Sequence, residues 1–130
     1  MVKYLLIVLS IKPIRMTVRK TDLECIEEAK DMLVKNLRYH ITIRNLALEA
    51  GMSESKLKYV FKKVFGSGVF TYLQRARMER ARQLLEETDK TVKEIALITG
   101  YKRMSSFIRS FRRTFNKSPA AWRRDAKVFT

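Results

Sequence analysis

Apolar residues recur at helical spacing along most of the chain and indicate a series of amphipathic helices. The first series consists of Leu23, Ile26, Ala29, Leu33 and Leu37. This spacing predicts a helix from about residue 22 to residue 38, and Thr21 with Glu24 has the pattern of a capping box at its start. Residues 1–20 lack the pattern and are interpreted as a separate N-terminal segment or interdomain linker.

The segment at residues 41–66 is repeated at residues 90–116. Its first half, Thr42, Ile43, Leu46, Ala47, Leu48 and Gly51, returns 49 positions later as Thr91, Val92, Ile95, Ala96, Leu97 and Gly100. After one inserted residue the offset is 50, and Ser55, Leu57, Phe61, Phe65 and Tyr72 correspond to Ser105, Phe107, Phe111, Phe115 and Trp122. A supersecondary unit repeated in this way indicates two similar modules within one chain.

Each copy has the pattern of a helix-turn-helix unit. In the first copy, Thr42 can cap a short helix that ends near Ala50, Gly51 permits a tight turn, and Ser53 can cap the next helix. Apolar residues at helical spacing in that next helix predict a core-facing stripe of Leu57, Val60, Phe61 and Val64. The side chains between them must therefore point outward.

The second copy follows the same order, with Thr91 and Glu94 as a capping box and an outer helix from about Met104 to Phe115. Ser118-Pro119 is typical of a helix start and predicts a final short helix. The predicted limits are residues 42–66 and 91–116 for the two units, 68–87 for a linker helix and 118–126 for the last helix, within a domain at 21–130. The predicted fold class is all-α, with about seven helices and two helix-turn-helix subdomains joined by a long linker helix.

The charge of the chain favours a polyanionic partner. The 130 residues carry a formal net charge of +15. Eight Lys or Arg residues and no acid lie between Tyr101 and Arg124, whereas five acids lie between Asp22 and Asp31. Two similar modules in a chain of such high positive charge predict binding to duplex DNA; the alternative is a basic surface that is merely solvated.

The sequence offers little for other classes of function. His40 is the only histidine, and the sequence predicts no catalytic centre, no cofactor and no metal site. Cys25 is the only cysteine, so it forms no internal disulfide; we expect it to be buried as a small apolar residue. The opening MVKYLLIVLS is too short to span a bilayer, and we expect a cytoplasmic, nucleoid-associated protein.

From about residue 21 to residue 124 the chain resembles the DNA-binding domain of the AraC/XylS family of bacterial transcription regulators. The resemblance is strongest over RMERARQLLEETDKTVKEIALITGYKRMSSFIRSFRRTFNKSPAAWRR, which is similar to that family's signature. KLKYVFKKVFGSGVFTYL and RMERARQLL look most like the siderophore-responsive regulators of the family. The resemblance implies paired helix-turn-helix subdomains, promoter binding and activation through RNA polymerase.

The resemblance also implies roles for individual residues. The base-reading positions of the two recognition helices match Ser55, Lys58, Tyr59, Met104, Ser105, Ile108 and Arg109. Arg109 can bind guanine O6 and N7 together, and Met104 and Ile108 suit thymine methyl groups unless they pack against a neighbouring helix. Contacts to the DNA backbone are expected from Ser53, Lys62, Lys63, Arg103, Arg112 and Arg113, although Lys63 and Arg113 can instead be solvated.

The chain departs from the family pattern at two positions. Arg103 stands where the family commonly has Asp, Asn or Ser, and an arginine side chain cannot accept the capping hydrogen bond. The second recognition helix is therefore expected to start less firmly, or Arg103 to contact the DNA backbone. Asn116 replaces the glycine found at Gly66 of the first copy, and asparagine tolerates the left-handed conformation that such a turn needs.

The sequence therefore predicts a promoter-binding transcription regulator, expected to be an activator, with double-stranded DNA and RNA polymerase as partners and no membrane. Its two recognition helices would enter successive major grooves, which lie about 34 Å apart. The linker helix would have to bridge most of this distance, and a helix of about twenty residues spans about 30 Å. The alternatives are a sequence-tolerant architectural DNA-binding protein and a cationic membrane-surface protein. Family precedent adds the hypothesis of an effector-binding domain on the N-terminal side, the alternative being a resemblance to the family's stand-alone regulators.

Overall fold

A computed structural model describes residues 18–128 as helices joined by short turns. In this range the helices are α1 (Lys20–Lys35), α2 (Ile43–Ala50), α3 (Glu54–Phe65), α4 (Val69–Glu87), α5 (Val92–Ile98), α6 (Met104–Phe115) and α7 (Pro119–Val128). The described residues contain no strand, which confirms the predicted all-α class. Most of the predicted N-terminal segment, residues 1–17, lies outside the described residues.

The described chain divides into two compact units. The first contains residues 18–36 and 41–73, and the second contains residues 37–40 and 74–128. The linker helix α4 contributes its first residues to the first unit and the remainder to the second. The predicted pair of subdomains with a long connecting helix is thus confirmed.

Helix α1 packs against α2 and α3 in the first unit. Its buried residues are Ile26, Ala29 and Leu33, which meet a core formed by Leu46, Ala47, Ala50, Leu57, Val60, Phe61, Val64, Val69 and Leu73. The four predicted core residues of α3 are all among them. Removing this apolar surface from water is what stabilises the short helices, because helices of this length are marginal on their own.

The core of the second unit is formed by α4, α5 and α6. It consists of Met78, Ala81, Leu84, Leu85, Ile95, Ala96, Phe107 and Phe111, with Trp122 of α7 packed against it. Arg123 attaches α7 to the end of α4, since its Nε donates to the carbonyl of Leu85 at 3.1 Å and its second guanidinium nitrogen to that of Thr88 at 3.0 Å. This arginine therefore satisfies carbonyls that the helix end leaves unpaired.

The repeat extends to the turn geometry of the two copies. In the first copy the Met52 N–H donates to the Ala47 carbonyl at 2.9 Å, and in the second the Tyr101 N–H donates to the Ala96 carbonyl at 2.8 Å. Thr42, Ser53 and Thr91 each accept the predicted capping hydrogen bond. The local signals for starting and ending these helices are therefore strong enough to be recognised from sequence.

Three aromatic rings also occupy equivalent places in the two units. Phe61, Phe65 and Tyr72 have ring centroids 4.6 to 5.4 Å apart, and Phe111, Phe115 and Trp122 have centroids 4.7 to 6.0 Å apart. In each set the first and third rings meet nearly edge to face, at 86° and 81°. This is an orientation that aromatic pairs favour.

The limits of α1 differ from the prediction at both ends. The helix begins at Lys20, so Thr21 lies inside it; the Asp22 carboxylate, instead of Glu24, accepts the N–H of Arg19 at 2.8 Å. The predicted Thr21 capping box is therefore wrong. The helix ends at Lys35 and not near residue 38, because the backbone of Asn36 is extended. Beyond this end the carbonyl of Leu37 accepts a 3.1 Å hydrogen bond from Arg77 Nε.

Cys25 is only half-buried, not buried as predicted. The fully buried positions of its helix are Ile26 and Ala29, so the cysteine lies at the edge of the buried stripe. Burial was predicted from the small apolar side chain, but helical register decides which face of a helix a residue occupies.

Candidate DNA-recognition helices

Helix α3 presents a basic outward face in the first unit. The packing of Leu57, Val60, Phe61 and Val64 into the core leaves Ser55, Lys58, Lys62 and Lys63 exposed. Tyr59 is half-buried, and the Lys63 ammonium lies 5.7 Å from the centroid of its ring. This cation–π contact fixes part of the face, so Lys63 is not simply solvated.

Helix α6 presents the corresponding face in the second unit. Phe107 and Phe111 are buried, whereas Ser105, Arg109, Arg112 and Arg113 are exposed. The outward face is therefore rich in guanidinium groups, which bind guanine edges and phosphates with two hydrogen bonds at once.

The two apolar residues predicted to read thymine methyl groups lie in different environments. Met104 is 45% exposed at the start of α6. Ile108 is half-buried and packs against the core of the second unit. The alternative, packing against neighbouring residues, therefore applies to Ile108, while a base contact by either residue stays a prediction.

The cations of the outward faces are available for a ligand. Between residues 18 and 128, the ion pairs of the structure do not involve Lys58, Lys62, Arg109, Arg112 or Arg113. Two cations near these helices do have acidic partners: Lys56 lies 3.2 Å from Asp22, and Arg82 pairs with Glu79 and Glu86. The outward faces of α3 and α6 therefore carry positive charge that no described ion pair neutralises, and this charge would attract a polyanion.

Ser53 lies at the start of α3, where its hydroxyl accepts the Lys56 N–H at 3.1 Å. The side chain therefore has a structural task in addition to any DNA contact. Arg103 occupies the equivalent place before α6, with extended backbone and no side-chain capping bond. The predicted lack of a cap is confirmed. Asn116 ends α6 with φ of 62°, as Gly66 ends α3 with φ of 78°, so the predicted left-handed turn is also confirmed.

Replacing Arg103 by serine is expected to stabilise α6 and to weaken DNA binding. A serine N-cap raises the free energy of unfolding by about 1 kcal/mol relative to alanine. Arg103→Ala is the matched control, since it removes the charge without supplying a cap. Denaturation followed by the fluorescence of Trp122, the only tryptophan, reports on this unit. Equal unfolding free energies for the serine and alanine variants would contradict the capping argument.

The sequence interpretation missed the buried arginine of the second unit. Arg77 is only 8% exposed, and burial lowers the pKa of its guanidinium. Together with the His40 hydrogen bond to the Gly100 carbonyl at 2.9 Å, it holds residues 37–40 in the second unit. Sequence spacing cannot predict these two hydrogen bonds, because the residues that each of them joins are 40 and 60 positions apart.

The described residues offer neither a metal site nor a membrane span. Between residues 18 and 128, no three His, Cys, Asp or Glu side chains are grouped so that they could hold a metal ion. In the same range, no helix has the length and apolar character needed to cross a membrane.

Comparison with known families identifies the fold. A family described as "Helix-turn-helix domain" matches residues 46–125, which include most of both copies. Solved structures agree: an AraC-type DNA-binding domain protein from Chromobacterium violaceum superposes with a TM-score of 0.74 at 27% identity, covering 83% of this chain and 96% of the other. The DNA-binding domain of the global transcriptional factor AdpA, solved with a target DNA, has a TM-score of 0.74 at 28% identity, covering 79% and 93%. The chain belongs to the AraC/XylS family of transcription regulators.

The curated relatives are bacterial transcription regulators. The chain is 33% identical over 100 residues to the lactose operon transcription activator of Staphylococcus xylosus, covering 77% of this chain and 36% of that protein. It is 32% identical over 88 residues to the probable transcription factor PqrA of Proteus vulgaris, covering 68% of this chain and 72% of that protein. The chain thus spans about a third of the first relative and most of the second.

Proposed function

We propose that this chain is a transcription activator that reads two unlike promoter half-sites with one polypeptide, inserting α3 and α6 into successive major grooves. The observation that carries the proposal is a pair of helices at equivalent places in the repeat that bury equivalent residues, Leu57 and Phe61 in α3 and Phe107 and Phe111 in α6, but differ at the positions between them. Tyr59 of α3 corresponds to Arg109 of α6, and Lys58 corresponds to Ile108. Equivalent helices with different faces are what a site of two different half-sites requires.

The proposed base contacts are divided between the two helices. Ser55, Lys58 and Tyr59 would read the first half-site, and Met104, Ser105 and Arg109 the second. Ile108 would contribute mainly by holding α6 against its core, with its remaining exposed surface available to a thymine methyl group. The exposed cations Lys62, Arg112 and Arg113, together with Arg103, would bind phosphates, and Ser53 and Lys63 would assist them.

Activation through RNA polymerase is a second part of the proposal. It is supported by relatives that carry the word activator in their names, among them the lactose operon transcription activator. The protein would act on the bacterial chromosome in the cytoplasm, by binding and not by catalysis. An effector-binding domain on the N-terminal side is a further proposal, supported by the greater length of that relative.

A sequence-tolerant architectural DNA-binding protein is the alternative function, because a strongly cationic surface alone binds any duplex. Selection of bound duplexes from a random pool, followed by sequencing, separates the two. The proposal predicts an asymmetric motif with two half-sites about one helical turn, about 10 base pairs, apart. An enriched pool without any motif would favour the architectural alternative, and a motif of one half-site would contradict insertion of both helices.

A further inference from the structure

An exposed aromatic ring lies in the first turn of α4. Phe70 is 63% exposed, whereas the other aromatic side chains of the described first unit are buried or half-buried. At the repeat offset of 50, its counterpart in the second copy is Ala120. The ring is therefore not part of the repeated core, and its exposure is not explained by folding.

Phe70 lines a surface cavity of about 340 Å³ beside the recognition helix. Part of the lining is apolar and consists of the Phe70 ring, Ile43 and Val69. Two cations of α3, Lys58 and Lys62, also line the cavity. No acid is present among the described residues that line it. The cavity thus combines an apolar surface with positive charge at one place.

A nucleotide unit of the DNA backbone has the complementary chemistry, since its phosphate is anionic and its deoxyribose presents C–H groups. We propose that this cavity holds one such unit, with Lys62 binding the phosphate and Phe70 packing against the adjacent deoxyribose. Lys58, which also lines the cavity, remains directed to a base edge. The inference rests on the proposed function, because it takes the outward face of α3 to be the face that meets DNA.

The contact makes the two half-sites unequal. The second unit has alanine at the corresponding position, so the first unit gains an apolar contact to the backbone that Ala120 cannot make. Backbone contacts of this kind position the recognition helix without reading sequence. The ring would therefore add affinity at the first half-site and leave the preferred bases unchanged.

A second cavity in the same unit supplies a matched control. Leu48 is 69% exposed and lines a cavity that also contains Arg44 and Glu54. The Glu54 carboxylate would oppose a phosphate there. Leu48→Ala therefore removes a comparably exposed apolar side chain of the first unit from beside that carboxylate, and it leaves Ser53, which also lines the cavity, in place.

The test measures the affinity of Phe70→Ala for a duplex selected by the wild-type protein, over a range of salt concentrations. We expect the Kd to rise about tenfold, because the variant buries about 60 Å² less apolar surface when it binds DNA. The slope of log affinity against log salt should stay the same, because no charge is removed. Lys62→Ala should instead flatten that slope by about one unit, as expected for one lost phosphate contact. Leu48→Ala should bind as the wild type does.

The outcomes are distinguishable. If Phe70→Ala binds the duplex with wild-type affinity but no longer supports transcription, the inference is overturned, and the ring contacts a protein partner instead. An equal loss in Leu48→Ala and Phe70→Ala would also overturn it, since exposed apolar surface in general would then be responsible. Failure of the wild-type protein to bind any duplex would instead contradict the proposed function. Circular dichroism checks that each variant is folded, as expected for such exposed positions.

Discussion

Gly100→Ala is expected to lower the free energy of unfolding of the second unit by about 3 kcal/mol, from left-handed strain and overpacking together. Gly100 has φ of +93°, a conformation that L side chains rarely adopt. A Cβ atom would also lie 2.5 Å from the Leu37 carbonyl oxygen and 2.9 Å from the Arg77 guanidinium. Because the oxygen belongs to the backbone and Arg77 is buried and bonded to it, neither contact can be relieved by rotating an exposed side chain.

Three other glycines provide a graded control. Gly51 and Gly66 also have positive φ, but nothing lies within 4 Å of their Cβ positions, so alanine there should cost only about 1 kcal/mol of strain. Gly68 has neither feature and should tolerate alanine. Trp122 fluorescence follows the second unit, and circular dichroism follows the variants of the first. A Gly100→Ala protein as stable as Gly51→Ala would show that residues 37–40 do not pack as described.

Gly100→Asn separates the two causes of the loss. Asparagine tolerates left-handed backbone better than other side chains, but it carries the same Cβ atom. The asparagine variant should therefore remain strongly destabilised at residue 100. At residue 51, where space is open, asparagine should be nearly neutral.

The largest expected effect on function is that of Arg109→Ala, which should weaken binding to the selected site by about 5- to 150-fold, equivalent to about 1 to 3 kcal/mol. Arg109 is exposed on α6, and its guanidinium can bind O6 and N7 of guanine with two hydrogen bonds. Removal should relax the base preference at one position of the second half-site. Binding to random duplex should fall much less.

Two controls separate base reading from general charge. Lys62→Ala removes one charge from the first unit and should weaken selected and random duplexes alike. Arg109→Lys keeps the charge without the planar fork, and should retain random binding while losing part of the specificity. Equal losses on selected and random duplexes for Arg109→Ala would mean that this residue contacts phosphate and does not read a base.

Most of the local structure could be predicted because it depends on short-range chemistry. The hydroxyls of Thr42, Ser53 and Thr91 cap helices three residues away, within reach of any chain that has this order. The buried stripe of α3 followed from helical periodicity alone. The exposed faces of α3 and α6 then followed as the remaining positions, and the family resemblance indicated which of them would read bases.

Errors arose where a residue meets partners far away in sequence. Leu37, predicted as part of helix α1, lies beyond its end and is bonded to Arg77, 40 positions later. For Ile108 the sequence left both a base contact and packing against a neighbouring helix open, and the core of the second unit covers part of the side chain. The sequence predicted no role for Phe70, because the exposure of its ring beside Lys58 and Lys62 depends on how α2, α3 and α4 pack together. In each case the deciding contact is tertiary.

The sequence by itself determined that this protein is two helix-turn-helix units in one chain, because the repeat, the caps and the apolar periodicity are local and agree with each other. It placed Gly51 and Gly100 as equivalent residues of that repeat. Only the tertiary structure decided that they differ: Gly51 borders open space, whereas Gly100 is pressed against the Leu37 carbonyl and Arg77. The reason is that a turn's backbone conformation is set by its own residues, while the space around it is set by whichever distant segments pack there.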